Sequence, residues 1–222
     1  MHALPSARRT VSYQSRPAAS PAARIDPGEV RLTGEHSLIA LATGEDATPT
    51  TRASHWRVLL SPAGAGHVLF VESELTGGRP RVYADNVALA RWLQREVEGA
   101  LHPPSADATL GVTDAVFECL GEARGEVVER VVAPSETITL RWSEFLEPFV
   151  QLPPADGPAG TMRRYGTFIP ARTAQVLVNG ARAQGAPRQT PHEGTVRTTA
   201  CLGWAATWVR ARTHALADTK ED

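Results

Sequence analysis

Lysine is almost absent from this sequence of 222 residues: it occurs once, at Lys220, and the other 22 of the 23 basic residues are arginines. The 24 acidic residues balance them, so the formal net charge is −1. A chain without a strong positive charge lacks the field that gathers nucleic acid or an anionic membrane surface. The composition therefore predicts neither a nucleic-acid partner nor a membrane partner.

Cysteine and long apolar runs are also scarce. Cys119 and Cys201 are the two cysteines, too few for a disulfide framework or, on their own, a zinc site. Both are expected to be small buried hydrophobic residues in strands. No apolar run approaches the roughly 18 residues that a transmembrane helix needs. We therefore expect a cytoplasmic protein that holds no metal and no cofactor.

The first 25 residues are expected to form a flexible tail. Arg8 and Arg9 follow Ser6 in the manner of a twin-arginine export signal, but the apolar core of such a signal is missing after them. A single β-rich domain is expected over residues 26–213, followed by a polar tail over residues 214–222. The folded unit is expected to be a monomer or a homodimer.

Alternating patterns predict a mainly β protein. Residues 137–142 alternate strictly between outward and inward types, and the run 126–132 is also β-prone. Residues 52–60 and 67–73 flank a Gly-rich loop and predict a hairpin. The pair Asn179-Gly180 predicts a type I′ turn, because both central positions of that turn need a positive φ.

One helix interrupts the strands. Asp85 or Asn86 can cap it, apolar residues recur at helical spacing over residues 87–98, and Gly99 with the pair Pro103-Pro104 ends it. The opposite, exposed face is predicted to carry the polar residues: Arg91, Gln94, Arg95, Glu96 and Glu98.

About ten short strands with one helix predict a single antiparallel β-barrel or, alternatively, a two-layer sandwich. The barrel is preferred because closure removes edge strands, and the sequence has few lysines to protect such edges. The layout resembles the calycin and lipocalin-like barrels in outline. No motif of those families is matched, so the resemblance implies a fold and no site residues.

The first hairpin contains the main catalytic candidate. If Trp56 lies opposite Glu72, then Trp56, Val58, Leu60, Val68 and Phe70 share one apolar face with that carboxylate. A register slipped by one residue would instead pair His55 with Glu72. A carboxyl group held against tryptophan in a dry pocket has a raised pKa and can act as a general acid or base.

Further candidates come from aromatic and arginine residues on shared faces. Trp142 continues an apolar stripe, and Trp204, Ala206 and Trp208 are predicted to form a pocket wall that ends at Arg210. Arg164 is a candidate anion clamp. Tyr165, its neighbour on the opposite side of the strand, is a candidate hydroxyl donor. Either His55 or Tyr165 is expected to assist Glu72 in proton transfer.

Diagnostic catalytic motifs are missing: there is no P-loop, G-x-G-x-x-G, G-x-S-x-G, H-E-x-x-H or C-x-x-C. The preferred hypothesis is an isomerase, hydratase or lyase that uses acid–base chemistry on a small, mostly apolar molecule in a Trp-lined barrel pocket. The alternative is a non-catalytic, lipocalin-like carrier or sensor of a hydrophobic ligand. A third hypothesis is an interaction module that exposes Leu89, Trp92 and Leu93.

Overall fold

The computed structural model describes residues 30–122, 125–152, 162–192 and 195–210. The tails predicted over residues 1–25 and 214–222 lie outside these ranges. The strands within them are β1 Val30–Ala42, β2 Thr51–Leu60, β3 Gly66–Glu72, β4 Arg81–Ala84, β5 Val112–Asp114, β6 Val116–Gly121, β7 Glu126–Val132, β8 Thr137–Phe145, β9 Phe149–Gln151, β10 Met162–Val178, β11 Ala181–Arg182, β12 Ala186–Pro187, β13 Gln189–His192, β14 Thr195–Thr198 and β15 Ala200–Arg210.

Thirteen of the described strands form one sheet that nearly closes into a barrel. Its main path runs β5-β4-β3-β2-β1-β15-β10-β8-β7-β6, with β9, β11 and β12 pairing off this path. The two ends of the path, β5 and β6, are consecutive in the chain and are joined at the buried residue Ala115. The predicted barrel is therefore confirmed, and the alternative sandwich is not adopted.

The predicted helix is also confirmed, and it extends three residues further than expected. An α-helical segment Val87–Leu93 continues as a π-helical turn Gln94–Glu98 and a last turn Gly99–Leu101. Asn86 caps its first turn by accepting a hydrogen bond from the Leu89 amide at 3.1 Å. Short 3₁₀ segments lie at Glu74–Thr76 and Pro103–Ala106. Within the described ranges, no helix combines the length and the apolar character required to cross a membrane.

Two apolar cores lie on opposite faces of the sheet. Inside the barrel, side chains from both halves of the sheet pack together, among them Leu69, Val131, Leu140, Trp142 and Val176. On the outer face, the helix covers part of the sheet, and this second core contains Trp56, Val58, Phe70, Leu89, Trp92, Leu93 and Trp208. The helix residues of the hypothetical interaction module are therefore buried, which removes that hypothesis.

The register predicted for the first hairpin is wrong. Trp56 lies opposite Val68, and Glu72 lies opposite Arg52, so neither Trp56 nor His55 faces Glu72. The difference arises because residues 61–65 form a compact turn, in which the Ser61 hydroxyl donates to the Gly64 carbonyl at 2.6 Å. The shift is four residues, an even number, so Glu72 keeps the same face as Trp56.

The predicted stripe of Trp204, Ala206 and Trp208 is also wrong. In the pairing of β10 with β15, Thr167 lies opposite Ala205 and Phe168 opposite Gly203, so Trp204 is the extra residue of a β-bulge. Trp204 is exposed, whereas Ala206 and Trp208 are buried under the helix.

Two smaller predictions have different outcomes. Cys201 is buried as expected, but Cys119 is exposed near the end of β6. The turn at Asn179-Gly180 is confirmed: both residues have a positive φ, and Val178 pairs with Ala181 across it.

Candidate functional site

A cavity of about 230 Å³, called the cleft below, lies between the outer face of β1–β3 and the C-terminal part of the helix. Leu38, Phe70 and Leu101 give it apolar walls. It also carries six ionisable side chains: His36, Arg52, Glu72, Glu98, His102 and Arg164. Apolar walls with a few convergent polar groups are typical of a small-molecule site.

Glu98 is the most deeply buried carboxyl group of the cleft, with 3% of the residue exposed. Its Oε2 accepts hydrogen bonds from the Trp56 indole and from the Ser54 hydroxyl, each at 2.9 Å. Burial raises the pKa of Glu98, while the two donated hydrogen bonds and the nearby His102 act in the opposite direction. Burial is the largest of these effects, so the carboxyl group binds a proton more readily than an exposed glutamate does.

The π-helical turn brings Glu98 to this position. In a regular α-helix Glu98 would lie about 180° around the axis from the buried Leu89. A π-turn inserts one residue and so rotates the residues after it back by about 100°. Gly99 allows the wide turn, because a Cβ at this position would lie 2.7 Å from the Gln94 carbonyl oxygen. The prediction that Gln94 and Glu98 are exposed is therefore wrong.

His36 is buried between strands and stacks on Trp56, its cross-strand partner. The ring centroids are 3.7 Å apart and the planes differ by 8°. Burial, and then the positive charge of Arg164 and the proximity of His55, lower the pKa of His36 well below its ordinary value, so the ring is neutral at physiological pH. Gly203 packs closely against the backbone of His36, and a Cβ at this position would clash with the His36 carbonyl group.

The hydrogen bonds of His36 form a chain with one direction. Ser54 donates to Glu98, so Ser54 Oγ accepts the proton of His36 Nε2, which lies 2.9 Å away. The other ring nitrogen, Nδ1, then has a free lone pair that faces Arg164 Nη1 at 3.4 Å. This network assigns the Nε2-protonated tautomer to His36 and connects Arg164 to Glu98 through two neutral groups.

Glu72 and His102 form a second acid–base pair in the same cleft. His102 Nε2 lies 2.7 Å from Glu72 Oε2, and both side chains are partly exposed. Glu72 ends β3, and His102 directly follows the last helical turn, so the pair joins the sheet to the helix. A carboxylate that orients an imidazole at this distance is a common arrangement for proton transfer.

Arg164 enters the cleft from β10 and is held by neutral groups. Its Nη2 donates to Gln151 Oε1 at 2.6 Å. The guanidinium lies over the rings of Phe168 and Trp208, at 4.6 and 5.6 Å from their centroids. These contacts fix its plane. Burial lowers the pKa of Arg164, although the side chain of arginine keeps its charge in proteins.

The structure brings some of the predicted site residues together. Glu72 and Arg164 line the cleft. Trp56 donates a hydrogen bond to Glu98 and stacks on His36. Trp208 packs against Arg164. Trp208 and Arg210 also line a second cavity of about 320 Å³ beside the helix, where Arg210 pairs with Glu96 at 3.1 Å.

Other predicted residues lie elsewhere. Trp142 is part of the barrel interior, where its indole donates to the Leu38 carbonyl at 3.1 Å. His55 faces the interior near His67 and Phe117. Tyr165 lies opposite Thr207 on the strand pair and does not line the cleft, and Trp204 is exposed.

Sequence patterns did not indicate four important residues of the cleft: His36, Ser54, Glu98 and His102. Ser54 had a detectable signal, since it shares strand parity with Trp56 and therefore the same face. No sequence signal indicated that Glu98 faces the cleft, because a π-turn leaves no reliable pattern in the sequence. His102 follows the helix, and only the fold places it beside Glu72.

No protein-family model matches the sequence, and a search of curated proteins finds no match either. The function of the cleft is therefore inferred from its own geometry.

Proposed function

We propose that the chain is an enzyme that transfers a proton to or from a small, mostly apolar organic molecule bound in the cleft. Isomerisation, hydration and elimination are the reactions that fit. The observation that supports this is the convergence of two differently placed carboxyl groups on one small cavity: Glu98, buried, and Glu72, paired with His102. Carboxyl groups in contrasting environments can divide the roles of acid and base.

The roles follow from the contacts. Burial raises the pKa of Glu98 above its ordinary value, and Glu98 is the proton donor or acceptor. The Glu72–His102 pair supplies the complementary group at the other side of the cavity. Leu38, Phe70 and Leu101 would surround the apolar part of the substrate and keep bulk water away from it.

Solvent exchange tests the proposal even though the substrate is not identified. All three reaction types make or break a C–H bond, so the enzyme should exchange carbon-bound hydrogen of a bound compound with D₂O. We expect a panel of small ketones, enones and acids to contain compounds whose exchange, followed by NMR, is accelerated by the protein. Glu98→Gln and Glu72→Gln should each lower that rate by about 100-fold or more.

Glu118→Gln is the matched control, since Glu118 is an exposed carboxylate on β6 that pairs with Arg130 and does not line the cleft. It should leave exchange unchanged. Glu98→Gln keeps an acceptor oxygen for Trp56 and Ser54, and circular dichroism of this variant checks that a loss of activity does not reflect unfolding. Equal exchange in all three variants would contradict the proposal.

The alternative is a non-catalytic carrier or sensor of a hydrophobic ligand in the same cleft. It is favoured by one observation: Glu98 Oε2 already accepts two structural hydrogen bonds, so its burial has an explanation that needs no chemistry. A carrier would bind compounds from the panel without exchanging their hydrogens, and Glu72→Gln would leave their affinity nearly unchanged.

A further inference from the structure

The positive charge of Arg164 lacks a counter-charge among the described residues. Its hydrogen-bonding neighbours are the Gln151 amide and the neutral ring of His36. In the part of the chain that the structure describes, none of its hydrogen bonds or ion pairs is to a carboxylate. A cation that is partly removed from water and not neutralised lowers stability, and a bound anion would offset that cost.

The two carboxyl groups of the cleft form hydrogen bonds with residues other than Arg164. Glu98 is held by Trp56 and Ser54, and Glu72 is held by His102. Arg164 reaches Glu98 only through His36 and Ser54, so the two charges are separated by neutral groups. Among the described residues, the guanidinium therefore has no carboxylate partner, and it lines the cavity with a fixed plane.

A second arginine lies at the exposed side of the cavity. Arg52 is directly opposite Glu72 across the strand pair and lines the cleft. Within the described ranges, no carboxylate is within ion-pairing distance of its guanidinium. Two arginines without an ion-pair partner among the described residues therefore lie at one small cavity, and each can bind an anionic group of a ligand.

We infer that the ligand of the cleft is a small organic carboxylate, bound through its carboxylate group to Arg164. This deepens the proposed function and rests on it for the chemistry. The planar fork of a guanidinium matches the two oxygens of a carboxylate. The apolar body of the ligand lies along Leu38, Phe70 and Leu101, and the reacting carbon lies beside Glu98.

The dimensions of the cleft limit the size of this acid. Its volume of about 230 Å³ is below the roughly 300–1,000 Å³ of sites for drug-sized ligands. His36, which Arg164 contacts, is on β1, two strands from Glu72 on β3. Their partners on β2, Trp56 and Arg52, are four residues apart, so the backbones of His36 and Glu72 are about 16 Å apart. The small volume therefore favours a compact acid with one ring or a short chain, which lies nearer to Arg164 and Glu98 than to the Glu72–His102 pair.

Acid–amide pairs test the inference on the full-length protein. Benzoate, cinnamate and cyclohexanecarboxylate are each compared with the uncharged carboxamide of the same skeleton by isothermal titration or ligand-observed NMR. We expect at least one acid to bind about tenfold or more tightly than its amide. Arg164→Gln should reduce that preference to about threefold or less.

Arg182→Gln is the matched control, because Arg182 is an exposed arginine on β11 and does not line the cleft. It should keep the full preference for the acid. If Arg164→Gln fails to fold by circular dichroism, the acid–amide ratio is measured on the unchanged protein and on Arg164→Lys instead. A lysine keeps the charge but loses the fork, so an intermediate preference supports the inference.

Two results would overturn it: amides that bind as tightly as their acids, or no binding of any acid up to about 10 mM. Neither result would remove the proposed function, because hydrogen exchange of neutral ketones and enones that depends on Glu98 would still support proton transfer. Conversely, tighter binding of acids than of amides, without any hydrogen exchange, would support the carboxylate site and contradict the proposal that the chain is an enzyme.

Discussion

At the scale of single residues, the cleft depends on neutral groups that connect charged ones. His36 and Ser54 lie between Arg164 and Glu98, and their hydrogen bonds all run from the arginine toward the carboxyl group. This arrangement requires a neutral imidazole, which burial provides by lowering the pKa of His36. A change that protonated His36 would place a positive charge beside Arg164 and would weaken the network.

His55 provides a pH-dependent prediction at this scale. It is buried in the barrel interior, where burial first, and then the charges of His67 and Arg57, lower its pKa to about 3, with Asp85 acting in the opposite direction. Its unfolded-state pKa is near 6.5. The neutral ring therefore stabilises the fold fully above about pH 6.5, and this contribution is lost as the pH falls toward 3.

We expect His55→Phe to reduce the pH dependence of stability. Phenylalanine keeps the stacking on Phe117, whose ring centroid is 5.7 Å from that of His55. Between pH 7 and pH 5 the wild-type protein should lose about 2 kcal/mol more of its free energy of unfolding than the variant does. Urea denaturation at several pH values measures this, and parallel curves for the two proteins would contradict the prediction.

At the scale of secondary-structure elements, two irregularities position the site. The π-turn Gln94–Glu98 rotates Glu98 toward the sheet, and the bulge at Trp204 changes the face on which the following residues of β15 lie. Before the bulge Leu202 faces the barrel interior, and after it Trp208 faces the helix. Each irregularity is a single extra residue: one brings Glu98 to the cleft, and the other brings Trp208 against Arg164.

Gly99→Ala tests the importance of the π-turn. A Cβ at this position would meet the Gln94 carbonyl oxygen at 2.7 Å and the Ala106 side chain at 2.8 Å. We expect the variant to lose about 1–3 kcal/mol in free energy of unfolding, because the backbone must shift to admit the methyl group. Its exchange activity should fall as well, since Glu98 is the preceding residue.

Gly111→Ala is the control for this substitution. No heavy atom lies within 4 Å of a Cβ at Gly111, and its φ is not in the left-handed region. It should leave stability within about 0.5 kcal/mol of the wild type. Similar losses in the two variants would show that the π-turn has no special need for glycine.

At the scale of the whole molecule, one sheet supplies two separate cores. Its inner face encloses the barrel interior, while its outer face packs on the helix and forms the cleft. Buried side chains such as Trp142 and Leu140 pack together in the interior and stabilise the fold. The sequence predicts a ligand inside the barrel, whereas the cleft lies on the outer face of the sheet.

Two tryptophans, both predicted to contact a ligand, test this division. Trp142 is fully buried and Trp204 is 55% exposed. We expect Trp142→Ala to lower the free energy of unfolding by about 3–5 kcal/mol through the cavity it leaves. Trp204→Ala should change it by no more than about 0.5 kcal/mol. Chemical denaturation distinguishes the two, and a small effect at Trp142 would contradict a filled interior.

The local patterns of the sequence determined the strands, the helix and the Asn179-Gly180 turn, because alternation, helical spacing and turn chemistry depend only on neighbouring residues. They also placed Glu72 on the same face as Trp56, since strand parity survives an even change of register.

Only the tertiary structure decided which residues meet. The contacts that define the cleft join positions 18 to 128 residues apart, from His36 with Ser54 to His36 with Arg164. Whether a strand face turns inward or toward the helix depends on how the sheet closes, and an extra residue in a helix or strand rotates a side chain without a clear sequence signal. For this reason alternation predicted Glu72 and Arg164, whereas Glu98 was found only from the packing of the helix on the sheet.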